Sequence, residues 1–253
     1  MKKLDIKNTI GIVSCKGGVG KSTASVNIAL SLNIFCKNKV GLLDADIYGP
    51  NHPRMLGVND KISKNISNNI IIPKSKYNIL SMSMGYFLDE DSSVLLRGPM
   101  LGNTILYLLY NTSWGNLDTL VIDFPPGTGD IYLSLFKHIK LNGVILVATP
   151  QSVVLDDLIK SLVMLKKFNI PILGLLNNMS SYICSNCGFK DNIYGTDKEL
   201  RNIVKKFNIP FSYNIPLDKK ISMSCDIGIP MVIKYPDSDI SNVYKKISNS
   251  IIS

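Results

Sequence analysis

The stretch Gly17, Gly18, Val19, Gly20, Lys21, Ser22, Thr23 constrains this chain more than any other. Small residues at these spacings let successive backbone N–H groups close around phosphate oxygens, and a helix opening just after them adds the partial positive charge of its N-terminus. Lys21 is placed to reach terminal phosphates, and the Ser22 hydroxyl can hold Mg²⁺. Such a loop functions only between a buried strand and a helix. "TIGIVS", from Thr9, reads as the strand and Ser22 to Leu32 as the helix, so the loop belongs at the carboxyl end of a strand in an open α/β sheet. The usual template has glycine where this chain has Cys15; cysteine is small and reads here as a spacer.

The rest of the chain repeats the same alternation. "KVGLLD" near 39, "TLVIDF" near 119, "GVILVAT" near 143 and "PILGLLNN" near 171 are apolar, β-branched runs bounded by turns, as strands buried on both faces require. Leu101 to Tyr110, Ile131 to His138 and Val153 to Phe168 carry helical patterns between them. The expectation is an α/β fold: a doubly wound, mostly parallel sheet flanked by helices, forming a single P-loop NTPase domain over residues 1–253. Residues 58 to 78, rich in Asn, Ser and Lys without clear period, read as a surface excursion. Near the end, Ile240, Val243, Tyr244, Ile247 and Ile251 form a helical apolar stripe beside Lys245 and Lys246; such a stripe more often packs a last helix than binds a membrane or DNA.

Composition excludes several classes. No stretch approaches the roughly 18 consecutive apolar residues of a membrane span, so no membrane partner is expected. The net charge of +9 comes from lysines scattered in pairs rather than gathered in a stripe, and nucleic acid is not expected either. An acidic residue follows the two N-terminal lysines and the first apolar run leads straight into the glycine loop, which speaks against a removable signal peptide. Five cysteines, an odd and unevenly spaced set, fit thiols in a reducing compartment. The expected location is cytoplasmic, or the equivalent compartment of an organelle.

Two carboxylates stand at strand ends. Asp44 closes "KVGLLD", with Asp46 two residues on, and Asp123 closes "LVID" before a Pro-Pro-Gly loop. Phosphoryl transfer is catalysed mainly by positioning and electrostatics, so carboxylates beside a phosphate loop suit a Mg²⁺ site and the orientation of water. Asp123 is expected near the Mg²⁺, with Ser22; Asp44 is expected to support that site, and Asp46 to position the attacking water.

Cys184 and Cys187 form a CxxC pair in a polar, glycine-ended loop near 182–190, after a buried strand. Two thiolates are half of what a four-iron cluster or a structural zinc requires, and a twofold axis would supply the other half. Cys36 and Cys225 read as small, buried or semi-buried residues.

The loop KGGVGKS, with its extra Lys16, resembles the deviant Walker A loop of the MinD, ParA and nitrogenase iron-protein class. "DADIYGP", "RGPM" (Arg97 to Met100), "LDTLVIDFPPGTGD", "TPQ", "NNMSSYICSNCG" and "IPLD" together resemble the Mrp/ApbC family of iron-sulfur cluster carrier ATPases, from about residue 9 onward. "YGTDKEL" stands where family members often have a Gly-rich turn. The resemblance implies an ATP-binding and hydrolysing carrier that sandwiches nucleotide across a homodimer. It implies that Lys16 crosses to the partner's nucleotide and joins Lys21 and Asp46 in catalysis, and that Asn178 and the turn from Pro216 to Asp218 approach the adenine. It further implies a [4Fe-4S] cluster bridging two copies at Cys184 and Cys187, a cluster donor, and apo iron-sulfur proteins as recipients. A partition or positioning ATPase and a zinc-stabilised NTPase without cluster transfer are the competing readings.

Overall fold

The computed structural model describes residues 4–62, 70–88, 98–127, 129–184 and 186–252; Arg97 of "RGPM" and Ser185 of the cysteine loop lie outside them. In chain order the elements are β1 (Ile6–Val13), α1 (Lys21–Cys36), β2 (Val40–Asp44), α2 (His52–Leu56), β3 (Lys74–Lys76), β4 (Ile79–Ser83), α3 (Gly98–Asn111), β5 (Leu117–Asp123), α4 (Asp130–His138), β6 (Gly143–Ala148), α5 (Ser152–Lys167), β7 (Ile172–Ile183), β8 (Lys190–Asp191), α6 (Lys198–Phe207), β9 (Phe211–Leu217), α7 (Lys219–Asp226), α8 (Met231–Lys234) and α9 (Asp239–Ile252).

The sheet runs β3-β4-β2-β5-β1-β6-β7-β8, with β9 also pairing with β7. Among the described residues, the pairings along β4-β2-β5-β1-β6-β7-β9 are parallel, and β3 against β4 and β8 against β7 are antiparallel. Strands β2 and β6 are buried at every position, which is why their sequences are continuous apolar runs rather than alternating ones. Strand β1 sits between β5 and β6, so the chain leaves it toward β2 on one side and builds β6 on the other. That reversal opens a crevice at the carboxyl ends of the central strands, the place where open α/β sheets bind ligands.

Helix α1 is buried from Ala24 through Leu32 because it lies between the sheet and α9. Ile240, Tyr244 and Ile247 of α9 are buried, and Val243 and Ile251 pack on the same core. The C-terminal apolar stripe is therefore used for packing and presents no free face. Among the described residues, no helix is long and apolar enough to cross a membrane.

In the expected surface excursion at 58–78, residues 63–69 lie outside the described ones; the others are exposed or half-buried except Ile71, but the excursion includes an ordered strand that the sequence reading did not expect. Ile71 is buried and bridges Thr112. Lys74–Lys76 and Ile79–Ser83 form a hairpin whose two turn residues, Tyr77 and Asn78, both have left-handed φ (50° and 60°), as a tight two-residue turn demands. Its second strand, β4, pairs with β2 and brings Ser83 beside Asp44. Strands β8 and β9 were likewise not expected; in β9 Ile215 is the one buried position among half-buried and exposed ones, so it lacks a continuous apolar run.

Candidate functional site

The phosphate loop follows β1 directly. Gly18 and Gly20 have φ of 78° and 85°, values that L side chains rarely adopt, and α1 begins at Lys21. A Cβ placed on Gly17 or Gly18 would meet nothing within 4 Å, so the loop faces open space there; one on Gly20 would run into the Asn178 amide. That amide donates to the Val19 carbonyl at 2.8 Å. On the other side the Gly127 N–H donates to the Ser14 carbonyl at 3.0 Å. The loop is thus held from β7 and from the Pro-Pro-Gly turn after β5.

Lys21 is 6% exposed, and its Nζ lies 2.7 Å from Asp123 Oδ1. The Ser25 hydroxyl donates to the same oxygen at 2.9 Å. Asp123 Oδ2 faces His52 Nε2 at 3.0 Å. Asp44 sits beside Asp123 in the β2–β5 register; its Oδ2 accepts from the Ser83 hydroxyl (3.0 Å) and the His52 N–H (3.3 Å), and its Oδ1 from the Asp46 N–H (3.2 Å). One ligand atom each from Asp44, His52 and Asp123 lie within 4.8 Å of one another. Burial pushes the Asp44 and Asp46 carboxyls up. Burial also opposes the Asp123 charge, but Lys21 and then His52 outweigh it, and the Asp123 carboxyl stays well below the usual range. For His52, burial disfavours the charged ring, while the Asp44 and Asp123 carboxylates more than offset this and raise it.

Lys16 is engaged within its own chain: its Nζ lies 2.9 Å from Asp157 Oδ2 on α5, and Lys160 holds the other Asp157 oxygen at 2.8 Å. The Lys16 hydrogen bond, first among the causes, holds the Asp157 carboxyl down to about 2. Cys15 is buried, with its thiol 3.4 Å from the Val154 carbonyl, and burial pushes that thiol up, the opposite of what a reactive thiol needs. The hydroxyl of Thr23 lies 3.8 Å from the Cys225 sulfur. Cys36 closes α1, with its sulfur 3.5 Å from the Asn249 carboxamide oxygen.

On the β7–β9 side, Asn178 is buried against the loop, as described. Pro216 is half-buried in a polar pocket shared with Asn177, Asn214 and Lys190. Asp218 caps α7, its carboxylate accepting from the Lys220 N–H at 2.7 Å.

The cysteine loop leaves the end of β7. The Cys184 N–H donates to the Phe189 carbonyl and the Gly188 N–H to the Cys184 carbonyl, both at 2.9 Å, closing a tight turn with Gly188 at φ 72°. Cys184 is half-buried and Cys187 exposed. The backbone N–H groups of Cys187 and Asn186, followed by the Cys187 thiol, hold the Cys184 thiol below the ordinary thiol range, which favours the thiolate that metals bind. Exposed Tyr182, Ile183, Phe189 and Ile193 surround this loop.

Sequence reasoning missed Ser25, His52, Ser83 and Asp157. Ser25 had a usable signal, since it stands one helical turn after Lys21 on the same face. The others depend on which strands and helices become neighbours.

A family model described as NUBPL iron-transfer P-loop NTPase matches residues 5–252. The chain is 43% identical over 249 residues to the iron-sulfur cluster transfer protein NUBPL of Dictyostelium discoideum, covering 98% of this chain and 76% of that protein. It is 40% identical over 246 residues to the iron-sulfur cluster carrier protein of Haemophilus influenzae, covering 97% of this chain and 66% of the relative's length. Among solved structures, a nucleotide-binding protein from Archaeoglobus fulgidus in complex with ADP superposes with a TM-score of 0.78 at 30% identity, over 95% of this chain and 93% of that one. The cell division ATPase MinD of Pyrococcus furiosus, at 23% identity and a TM-score of 0.70 over 97% of this chain and 98% of that one, shares the fold.

Proposed function

Because the chain belongs to the NUBPL iron-transfer P-loop NTPase family, we propose that it is an ATP-hydrolysing carrier that holds a [4Fe-4S] cluster between two copies of itself and passes it to apo-proteins. Strand β7 carries this reading. Asn178 on that strand bonds the phosphate loop, and Cys184 follows its last residue. Only residues 179–183 separate them, so the nucleotide loop and the metal-binding loop share one short stretch of backbone.

In the nucleotide site, Lys21 exchanges its Asp123 contact for the terminal phosphates. Ser22 and Asp123, supported by Asp44, offer the hard oxygen donors that suit Mg²⁺, which neutralises phosphate charge when bound. Asp46 orients the attacking water, and Lys16 reaches the nucleotide of the second copy. Asn178 and the Pro216–Asp218 turn border the adenine. Each chain brings two thiolates and the cluster needs four, so a twofold axis completes the site and buries Tyr182, Ile183 and Phe189. A partition-type ATPase has no use for a pair of thiols there, one half-buried and one exposed, and the buried stripe on α9 argues against it as well.

Transfer is tested by mixing protein loaded without oxygen with an apo four-iron enzyme. Activity should return faster than with free iron and sulfide. No recovery, while the cluster stays on the carrier, rejects the carrier role.

The Lys16–Asp157 pair must open before Lys16 can cross to a partner. Asp157→Asn should therefore lower the protein concentration needed for the ATP-dependent dimer by roughly two- to fivefold, the scale of an exposed ion pair, as read by sedimentation. A dimer that needs more protein than the wild type would contradict this. Lys16→Ala should keep ATP binding and lose hydrolysis. In that variant the Asp157 carboxyl should titrate partway back from about 2 toward its ordinary 3.8. The sign follows from the depressed folded value: the pair's stabilisation is full above about 4 and fades as the pH falls toward 2.

A further inference from the structure

We infer that His52 is a positioning residue that clasps the segment following β2 to Asp123, the carboxylate paired with the phosphate-loop lysine, and thereby places Asp46 for hydrolysis. The hydrolytic part rests on the ATPase reading above; the clasp itself rests on geometry alone.

His52 is fully buried and opens α2. It touches both strand-end carboxylates: its backbone N–H donates to Asp44 Oδ2 and its ring Nε2 lies 3.0 Å from Asp123 Oδ2. The segment between β2 and α2 is tied at its start to the same strands, through the Ala45 N–H to the Asp123 carbonyl (2.9 Å) and the Asp46 N–H to Asp44. Its middle, Tyr48 and Gly49, is exposed. With five residues, α2 is too short to hold itself in place. The far end of the segment is held by the buried Leu56, by the exposed Arg54–Asp226 ion pair (2.9 Å) and by His52, and of these three His52 is the one that reaches the strand-end carboxylates.

The partition of Asp123 oxygens points the same way. Oδ1 takes Lys21 and Ser25, while Oδ2 faces His52. When Lys21 turns to a phosphate, Ser25 and His52 are the partners that remain to fix this carboxylate among the described residues. Beside an ionised carboxylate Nε2 carries the hydrogen, and the second ring nitrogen is Nδ1. That Nδ1 is buried without a hydrogen-bond partner. An apolar side chain would fill the space without this defect, and buried groups that break a local rule tend to mark function.

The test compares His52→Leu, which removes the donor, with His52→Gln, whose amide can return an N–H near the Nε2 position. In nucleotide-free protein, His52→Leu should speed amide exchange over residues 45–56 by roughly tenfold or more, and His52→Gln should restore most of the protection. The kcat for ATP should fall roughly 10- to 100-fold in the Leu variant with KM within about threefold, and recover in the Gln variant. Identical behaviour of the two variants, or exchange that stays unchanged in both, overturns the proposal. So does stoichiometric Mn²⁺ or Zn²⁺ binding by the nucleotide-free wild type that His52→Gln abolishes, since His52 would then be a metal ligand. If His52→Leu does not fold, His52→Asn, polar but too short to reach Asp123, replaces it with the same expectations. A wild type that never hydrolyses ATP counts against the ATPase reading alone, and the exchange comparison then decides the clasp.

Discussion

Replacing Lys21 with alanine should abolish tight Mg-ATP binding and, in the same protein, lower the stability of the nucleotide-free fold. The first effect follows from the loop: Lys21 opens α1 just behind Gly20, and among the described residues it is the loop lysine aimed into the crevice, since Lys16 is turned to Asp157. Losing a desolvated charge contact costs about 2–5 kcal/mol, or roughly 30- to 5000-fold in affinity. The second effect follows from burial. Lys21 and Asp123 are 6% and 0% exposed, and breaking a buried ion pair by removing one partner costs about 3–5 kcal/mol because the other charge is left uncompensated. The two effects separate in the double variant Lys21→Ala/Asp123→Asn: stability should return while ATP binding does not. Equilibrium unfolding and ATP titration read them independently. Unchanged ATP affinity in Lys21→Ala would remove the nucleotide site from this loop.

The second large effect concerns the thiols. Wild-type protein reconstituted without oxygen should hold one four-iron cluster per dimer, measured as about two iron and two sulfide per chain, with brown visible absorption. Cys184→Ser or Cys187→Ser should lose the cluster and any cluster-dependent dimer. Both variants should still bind ATP, because their turn is closed by backbone bonds of Cys184, Gly188 and Phe189 that the substitutions leave in place. Cys15→Ser, Cys36→Ser and Cys225→Ser should keep the cluster: Cys15 is buried against the Val154 carbonyl, and the other two lie beside Asn249 and Thr23. Retention of full iron and sulfide by both CxxC variants, or zinc alone in anaerobically handled wild type, sinks the cluster-carrier proposal.

Much of the site was legible because its requirements are local. A phosphate loop needs positive φ at set positions, an incoming strand and an outgoing helix, and Gly18, Gly20 and Lys21 meet all three within a few residues. The CxxC turn is likewise closed within Cys184–Phe189. The central strands announced themselves by continuous apolar runs, which burial on both faces imposes. The hairpin β3–β4 and strand β9 did not: β3 has three residues, the buried Ser81 and Ser83 interrupt the apolar run of β4, and β9 alternates apolar and polar residues instead of forming a continuous run.

What the sequence alone determined is therefore the α/β class, the phosphate loop, the strand-end position of Asp44 and Asp123, and the thiol pair. Tertiary structure decided who meets whom. Lys21 meets Asp123 across 102 residues, Asn178 reaches the phosphate loop across 159, and His52 reaches Asp123 across 71. Each of these meetings depends on β1 lying between β5 and β6, with β2 on the far side of β5. Apolar runs of similar length and composition carry no label for their neighbours; strand order is settled by how helices and connections pack over the whole sheet, and only that packing brings His52 and Asp157 into the site.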